Sequence, residues 1–173
     1  LHGIQNVFAA KEVCLFQGVT ASGKTEVYMQ LIESFLEKGK QVLYLLPEIA
    51  LTTQLVSRLT KHFGNKVAVF HSKYSNNERV EVWQKTLSNS EKARIIIGTR
   101  SALFLPFQNL GLIVVDEEHE PTFKQVDPAP RYHARDAAIV LANLHSAKVL
   151  LGSATPSIDR KGRPWILSGT VAV

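Results

Sequence analysis

Val13-Cys14-Leu15-Phe16-Gln17-Gly18-Val19-Thr20-Ala21-Ser22-Gly23-Lys24-Thr25 joins an apolar strand-forming run to a turn bounded by two glycines, and an amphipathic stretch follows at once. The turn fits G-x-x-x-x-G-K-[ST] in the strand-then-helix context that the pattern requires. Glycines let the backbone turn tightly, so that successive N–H groups and a helix N-terminus face an anion. Lys24 supplies a point charge for the outer phosphates, and the Thr25 hydroxyl is a ligand for Mg²⁺. Gly18 through Thr25 therefore reads as a cradle for a nucleoside triphosphate. The pattern alone also fits a glycine-rich turn that caps a helix and binds nothing.

Working outward, short β-branched runs alternate with longer amphipathic stretches. Strands are expected at Val13–Phe16, Gln41–Leu45, Val67–Phe70, Arg94–Gly98, Leu112–Asp116 and Lys148–Gly152. Helices are expected at Lys24–Lys38, where Tyr28, Leu31, Ile32 and Phe35 share a face, and at Ile49–Phe63, Glu78–Leu87 with a cap near Asn76, and Ala134–Leu144. Six strands with intervening helices predict an α/β fold, a doubly wound, mostly parallel sheet with helices on both faces. Ligands of such sheets sit at the carboxyl ends of the strands. Glu120–Arg131, with Pro121, Pro128 and Pro130, reads as a long surface loop, and Lys161–Val173 shows neither helical nor strand periodicity.

Composition narrows the class. The chain has 173 residues and a single cysteine, Cys14, so one domain is expected and an internal disulfide is excluded. Cys/His spacing gives no structural zinc site. No apolar run approaches the roughly 20 residues of a membrane span, and the first residues lack signal-peptide order, so a soluble, cytoplasmic protein without a membrane partner is expected. The formal charge of +5 permits a nucleic-acid partner without demanding one.

Leu112-Ile113-Val114-Val115-Asp116-Glu117-Glu118-His119 is an apolar strand that ends in three carboxylates and an imidazole. Like charges crowd at a strand tip when a cation or a substrate proton needs them. Asp116 suits a water-mediated hold on Mg²⁺, and Glu117 suits the polarising of an attacking water. With Lys24 they form the catalytic set; Thr25 and Asp116 form the metal set. Taken alone, the segment also fits a solvated acidic turn.

Asp-Glu-Glu-His downstream of a phosphate loop resembles motif II of superfamily 2 helicases. Leu46-Pro47-Glu48-Ile49-Ala50-Leu51-Thr52 resembles motif Ia, Gly98-Thr99-Arg100-Ser101-Ala102-Leu103-Phe104 motif Ib, and Gly152-Ser153-Ala154-Thr155-Pro156-Ser157 motif III, in the family's order. With Thr25-Glu26-Val27-Tyr28 and Arg131-Tyr132-His133-Ala134-Arg135-Asp136, the chain from Val13 to Ile158 is most similar to the bacterial replication-restart helicases. The resemblance implies a RecA-like P-loop NTPase lobe that binds ATP and Mg²⁺ and acts on single-stranded and forked DNA. It further implies a second helicase lobe, the primosome and single-strand-binding proteins as partners.

Residue by residue, the resemblance gives DNA contacts to Thr52, Thr99, Arg100 and Ser101, and coupling of nucleotide state to DNA to Ser153, Ala154 and Thr155. Ser and Thr in the first group also suit helix caps. The family's aromatic-rich loop corresponds to Phe123–Tyr132. Phe123, Tyr132 and His133 are candidates to stack on bases, and Lys124, Arg131 and Arg135 to neutralise phosphates; a packed surface loop is the alternative. His71 reads as a hydrogen-bonded structural histidine and Trp83 as core or helix packing. Ala21 departs mildly from the family's usual small residue. After Ile158 the sequence departs entirely, so residues 1–160 read as the ATP-binding lobe and 161–173 as a divergent, frameshifted or appended tail. The family's second lobe, arginine finger and paired zinc cysteines find no counterpart in the 173 residues, so an isolated first lobe with little turnover is expected. Two other readings stay open, a nucleotide-independent DNA-binding module with a vestigial site and a related double-stranded DNA translocase.

Overall fold

A computed structural model describes residues 1–18, 23–48, 50–127, 129–153 and 169–172, the last four as a backbone path. In chain order the elements are α1 (His2–Ala10), β1 (Val13–Gln17), α2 (Lys24–Leu36), β2 (Gln41–Leu45), α3 (Thr53–Phe63), β3 (Val67–Phe70), α4 (Asn76–Leu87), β4 (Ile95–Gly98), β5 (Leu110–Val115), β6 (Lys124–Gln125), β7 (Tyr132–His133), α5 (Ala134–His145), β8 (Lys148–Ser153) and β9 (Gly169–Ala172). Seven strands form one sheet in the order β3-β4-β2-β5-β8-β1-β9, and every pairing in it is parallel.

Side chains alternate across a strand, so the sheet feeds two cores. β2 sends Leu43 and Leu45 to one face, with Val82 of α4 and Ala134, Ala138 and Ala142 of α5. It sends Val42 and Tyr44 to the other, with Ile4 and Phe8 of α1, Tyr28, Leu31 and Ile32 of α2, and Leu59 and Phe63 of α3. Strands covered on both faces carry no alternating polar row, which is why β2, β4 and β5 are apolar runs buried end to end. The doubly wound, mostly parallel α/β expectation is therefore the fold observed.

Some local expectations are corrected. α1 carries no cap side chain or other start signal, and its buried Ile4 and Phe8 give the only clue. α3 starts at Thr53 because the Thr52 hydroxyl accepts a hydrogen bond from the Leu55 N–H at 3.3 Å; Ile49, the expected start, lies outside the described residues. α4 is capped by Ser75, next to Asn76 as expected, and begins two residues before the expected Glu78: the Ser75 hydroxyl and the Glu78 carboxylate bond each other's backbone N–H groups. The proline-rich loop contains a short helical turn, Pro121–Phe123, and an antiparallel pairing of β6 with β7. In the segment that reads as aperiodic, Gly169–Ala172 adds a strand beside β1. Four residues on an edge are too few to show a period.

Strand order builds the site. β5, β8 and β1 are neighbours, so the chain leaves all three at one edge of the sheet. There Gly18 donates its N–H to the Ser153 carbonyl at 3.1 Å, and Glu118 donates its own to the Gly152 carbonyl at 2.9 Å.

Candidate functional site

Gly23 caps α2 from the left-handed region, at φ 78°, where a side chain would be strained. Lys24 opens the helix with its side chain 8% exposed and donates from Nζ to Glu117 Oε1 at 3.1 Å. The two residues are 93 positions apart in sequence, so the phosphate-loop lysine and the acidic strand end are one site. Glu117 itself has φ 49°. A non-glycine residue there stores roughly 1–3 kcal/mol, and such residues cluster at functional sites. His119 Nδ1 lies 3.0 Å from Ser153 Oγ and 3.7 Å from Glu117 Oε2, tying the acidic turn to the end of β8.

Asp116 sits deeper. Its Oδ1 accepts from the Tyr28 hydroxyl at 3.0 Å and from the Glu117 N–H at 3.0 Å, and its Oδ2 accepts from the Tyr44 hydroxyl at 3.1 Å. Burial pushes the Asp116 carboxyl above its ordinary range and adjacent Glu117 adds to this, while the tyrosine hydroxyls and Lys24 oppose it. Both tyrosine hydroxyls are held well above their usual values, first by burial and then by Asp116. Among the described residues no cluster of three acidic, histidine or cysteine side chains forms a protein-only metal cage. Mg²⁺ takes one or two carboxylates and completes its shell with water and phosphate oxygens. Two hard carboxylates beside a lysine are a donor set of that kind. Thr25 is half-buried next to Lys24. Val19, Thr20, Ala21 and Ser22, with Ala154 and Thr155, lie outside the described residues.

The residues read as DNA contacts fall into two places. Thr52 stands apart at the α3 N-terminus, its hydroxyl engaged as the cap. The motif Ib segment and the proline-rich loop come together: Arg100 Nη1 donates to the Thr122 carbonyl at 2.9 Å, and Tyr132 packs edge-on against Phe104 with ring centroids 5.4 Å apart. Phe104 is 66% exposed. Lys124 and Arg131 are exposed beside this pair. Thr99 is buried, and the Ser101 hydroxyl is buried with no hydrogen-bond partner among the described residues.

Three stacking or phosphate candidates have other work. Phe123 is 1% exposed and belongs to the core. His133 caps α5, its Nδ1 accepting from the Arg135 N–H at 3.3 Å. Arg135 is buried against fully buried Glu118, Nη1 to Oε2 at 3.2 Å, with Nε on Asp136 at 3.0 Å. Trp83 is 44% exposed on α4 and lies outside the core. His71 is buried, and its Nδ1 accepts the Lys73 N–H, as expected. Sequence reasoning placed Phe104 in a motif without its exposure, and it missed the polar role of Tyr28 and Tyr44, whose hydroxyls an apolar pattern does not reveal.

The DEAD/DEAH box helicase family matches residues 3–161. The chain belongs to that family. A DEAD/DEAH box helicase lobe binds nucleotide with a metal. The chain is 49% identical over 152 residues to the replication restart protein PriA of Bacillus subtilis, covering 88% of this chain and 18% of that protein. It is 53% identical over 145 residues to PriA of Synechocystis, covering 84% and 17%, and 52% identical over 147 residues to PriA of Haemophilus influenzae, covering 85% and 20%. The chain thus spans about a fifth of the length of these curated relatives. Among solved structures, the DNA-bound helicase MrfA superposes with TM-score 0.70 at 21% identity, over 99% of this chain and 26% of that one. RecG bound to a three-way DNA junction gives 0.67 at 22%, over 98% and 22%. These two likenesses establish the shared fold.

Proposed function

We propose that this DEAD/DEAH box helicase chain is the ATP-binding lobe of a cytoplasmic DNA helicase that couples ATP hydrolysis to translocation and unwinding at stalled or restarting replication forks. The Lys24–Glu117 ion pair carries the reading, because it joins an anion cradle to a carboxylate that can act on water. Mg²⁺, when bound with ATP, neutralises phosphate charge; Thr25 and Asp116 are the residues that would hold it. Gly18 to Lys24 hold the phosphates. As Lys24 turns from Glu117 to a phosphate oxygen, the carboxylate is released to orient an attacking water and accept its proton.

The identity with PriA proteins supports the fork assignment, and the DNA-bound relatives of the same fold support a DNA partner. Residues 1–160 carry the lobe's motifs and 161–173 follow the last of them, with Gly169–Ala172 adding a strand to the lobe's sheet. A second lobe supplies the arginine finger, and primosome and single-strand-binding proteins are the further partners. Phe104 and Tyr132 offer an aromatic platform for unpaired bases, and Arg100, Lys124 and Arg131 offer cations for the backbone, while His119 and Ser153 link that response to the acidic turn.

Fluorescence anisotropy of labelled single-stranded DNA with and without a slowly hydrolysed ATP analogue and Mg²⁺ tests the proposal. Affinity is expected to change with nucleotide, and Phe104→Ala is expected to weaken DNA binding about fivefold or more. Binding indifferent to nucleotide contradicts the proposal and favours a DNA-binding module whose nucleotide site is idle.

A further inference from the structure

Asp116 receives a hydroxyl on each of its two oxygens, and the two hydroxyls come from different elements. Tyr28 reaches Oδ1 from α2, one turn beyond Lys24, and Tyr44 reaches Oδ2 from β2. Both tyrosines are fully buried, and their rings meet edge-on at 5.8 Å and 81°, with Phe16 edge-on to Tyr28 at 6.0 Å. Neither hydroxyl has freedom to wander. The Asp116 N–H is fixed as well, donating to the Leu45 carbonyl at 3.0 Å on the strand that carries Tyr44.

The space for this arrangement comes from Gly152. A Cβ built on it would lie 1.9 Å from the Tyr28 hydroxyl oxygen and 3.1 Å from Asp116 Oδ1. The backbone of β8 therefore lies flat against the hydroxyl and the carboxylate, which a side chain would push apart. Simple satisfaction of two buried hydroxyls would need no common acceptor and no such gap. Here three elements converge on one carboxylate next to the lysine of the phosphate loop.

We propose that Tyr28 and Tyr44 are positioning residues that clamp the Asp116 carboxylate in the orientation needed to hold Mg²⁺ on a bound nucleotide, and that Gly152 is required as glycine to admit the Tyr28 hydroxyl. The inference rests on the nucleotide reading above and assigns that site a shell of support. Partners that orient a metal-ligating group characteristically contribute 10- to 100-fold in metal affinity. Tyr28→Phe and Tyr44→Phe keep both rings and remove only the hydroxyls. Gly152→Ala keeps both hydroxyls and displaces one of them.

The test is binding of a slowly hydrolysed ATP analogue to the 173-residue chain and its variants, measured across a Mg²⁺ titration and again in chelator, with thermal melting alongside. The clamp requires the double variant Tyr28→Phe/Tyr44→Phe to need about tenfold more Mg²⁺ for half-maximal binding, with the affinity in chelator unchanged. Gly152→Ala should shift the Mg²⁺ requirement in the same direction. A merely structural role would lower melting temperature and leave the Mg²⁺ midpoint in place, and that result in the double variant overturns the clamp while the nucleotide reading stands. If the unsubstituted chain binds no nucleotide with or without Mg²⁺, the clamp and the reading beneath it both fall.

Discussion

Arg135→Met removes one partner of the most deeply buried ion pair among the described residues. Glu118 is fully buried, the Arg135 side chain is 5% exposed, and Nη1 and Oε2 are 3.2 Å apart. With an effective dielectric of about 20, two unit charges at that separation attract by about 5 kcal/mol. Much of this attraction offsets the cost of taking both charges out of water, so the intact pair adds little net stability. Removing arginine alone is different, because it takes the Arg135 charge away from a carboxylate that stays in the interior. The expected loss is about 3–5 kcal/mol, which for a domain of this size lowers the melting temperature by roughly 6–20 °C. Asp136, 30% exposed, loses its Arg135 contact to solvent at little cost. Urea unfolding of Arg135→Met, Glu118→Leu and the double variant measures this directly. The double variant should recover most of the loss, since neither charge then remains. A single-variant loss below about 1 kcal/mol, or a double variant no better than Arg135→Met, refutes the reasoning and reopens the assignment of Arg135 to DNA.

Two further outcomes follow from packing and charge. Gly98 has an extended backbone, but a Cβ there would lie 2.6 Å from the Ala102 Cβ and 2.8 Å from the Phe70 carbonyl oxygen, so Gly98→Ala is expected to destabilise by about 1–3 kcal/mol in urea unfolding through overpacking. His133 caps α5 in its neutral form, and burial first, then Arg135, hold its pKa below the ordinary 6.5. The unfolded chain then binds the proton more tightly than the fold does, so stability present above pH 6.5 is lost as pH falls through the unfolded value toward the lower folded one. His133→Asn keeps a cap and removes this titration, and its unfolding free energy should be flatter between about pH 7 and 5 than that of the unsubstituted chain.

The fold was largely legible because a parallel sheet covered on both faces writes itself as separate apolar runs, and Gln41–Leu45 and Val67–Phe70 have the expected bounds. What escaped was tertiary. α1 has no capping signal, and its Ile4 and Phe8 gain meaning only from the sheet beneath them. Lys24 and Glu117 could be named from motifs, yet their contact depends on the order β5-β8-β1, which spacing does not give. Phe123 and Phe104 show the same limit in opposite senses. Both are aromatic residues in family-like segments, but one is sealed in the core and the other stands 66% exposed against Tyr132. Arg135 read as a surface cation because the carboxylate that buries it lies 17 positions away on another element.

On the proposed function, Lys24 and the acidic end of β5 form a working nucleotide site. Calorimetric titration of this chain with a slowly hydrolysed ATP analogue and Mg²⁺, run beside a folded Lys24→Ala variant, tests it most directly. Measurable binding that is lost with the lysine is expected. Equal binding by both proteins, or none by either while both remain folded, would contradict it.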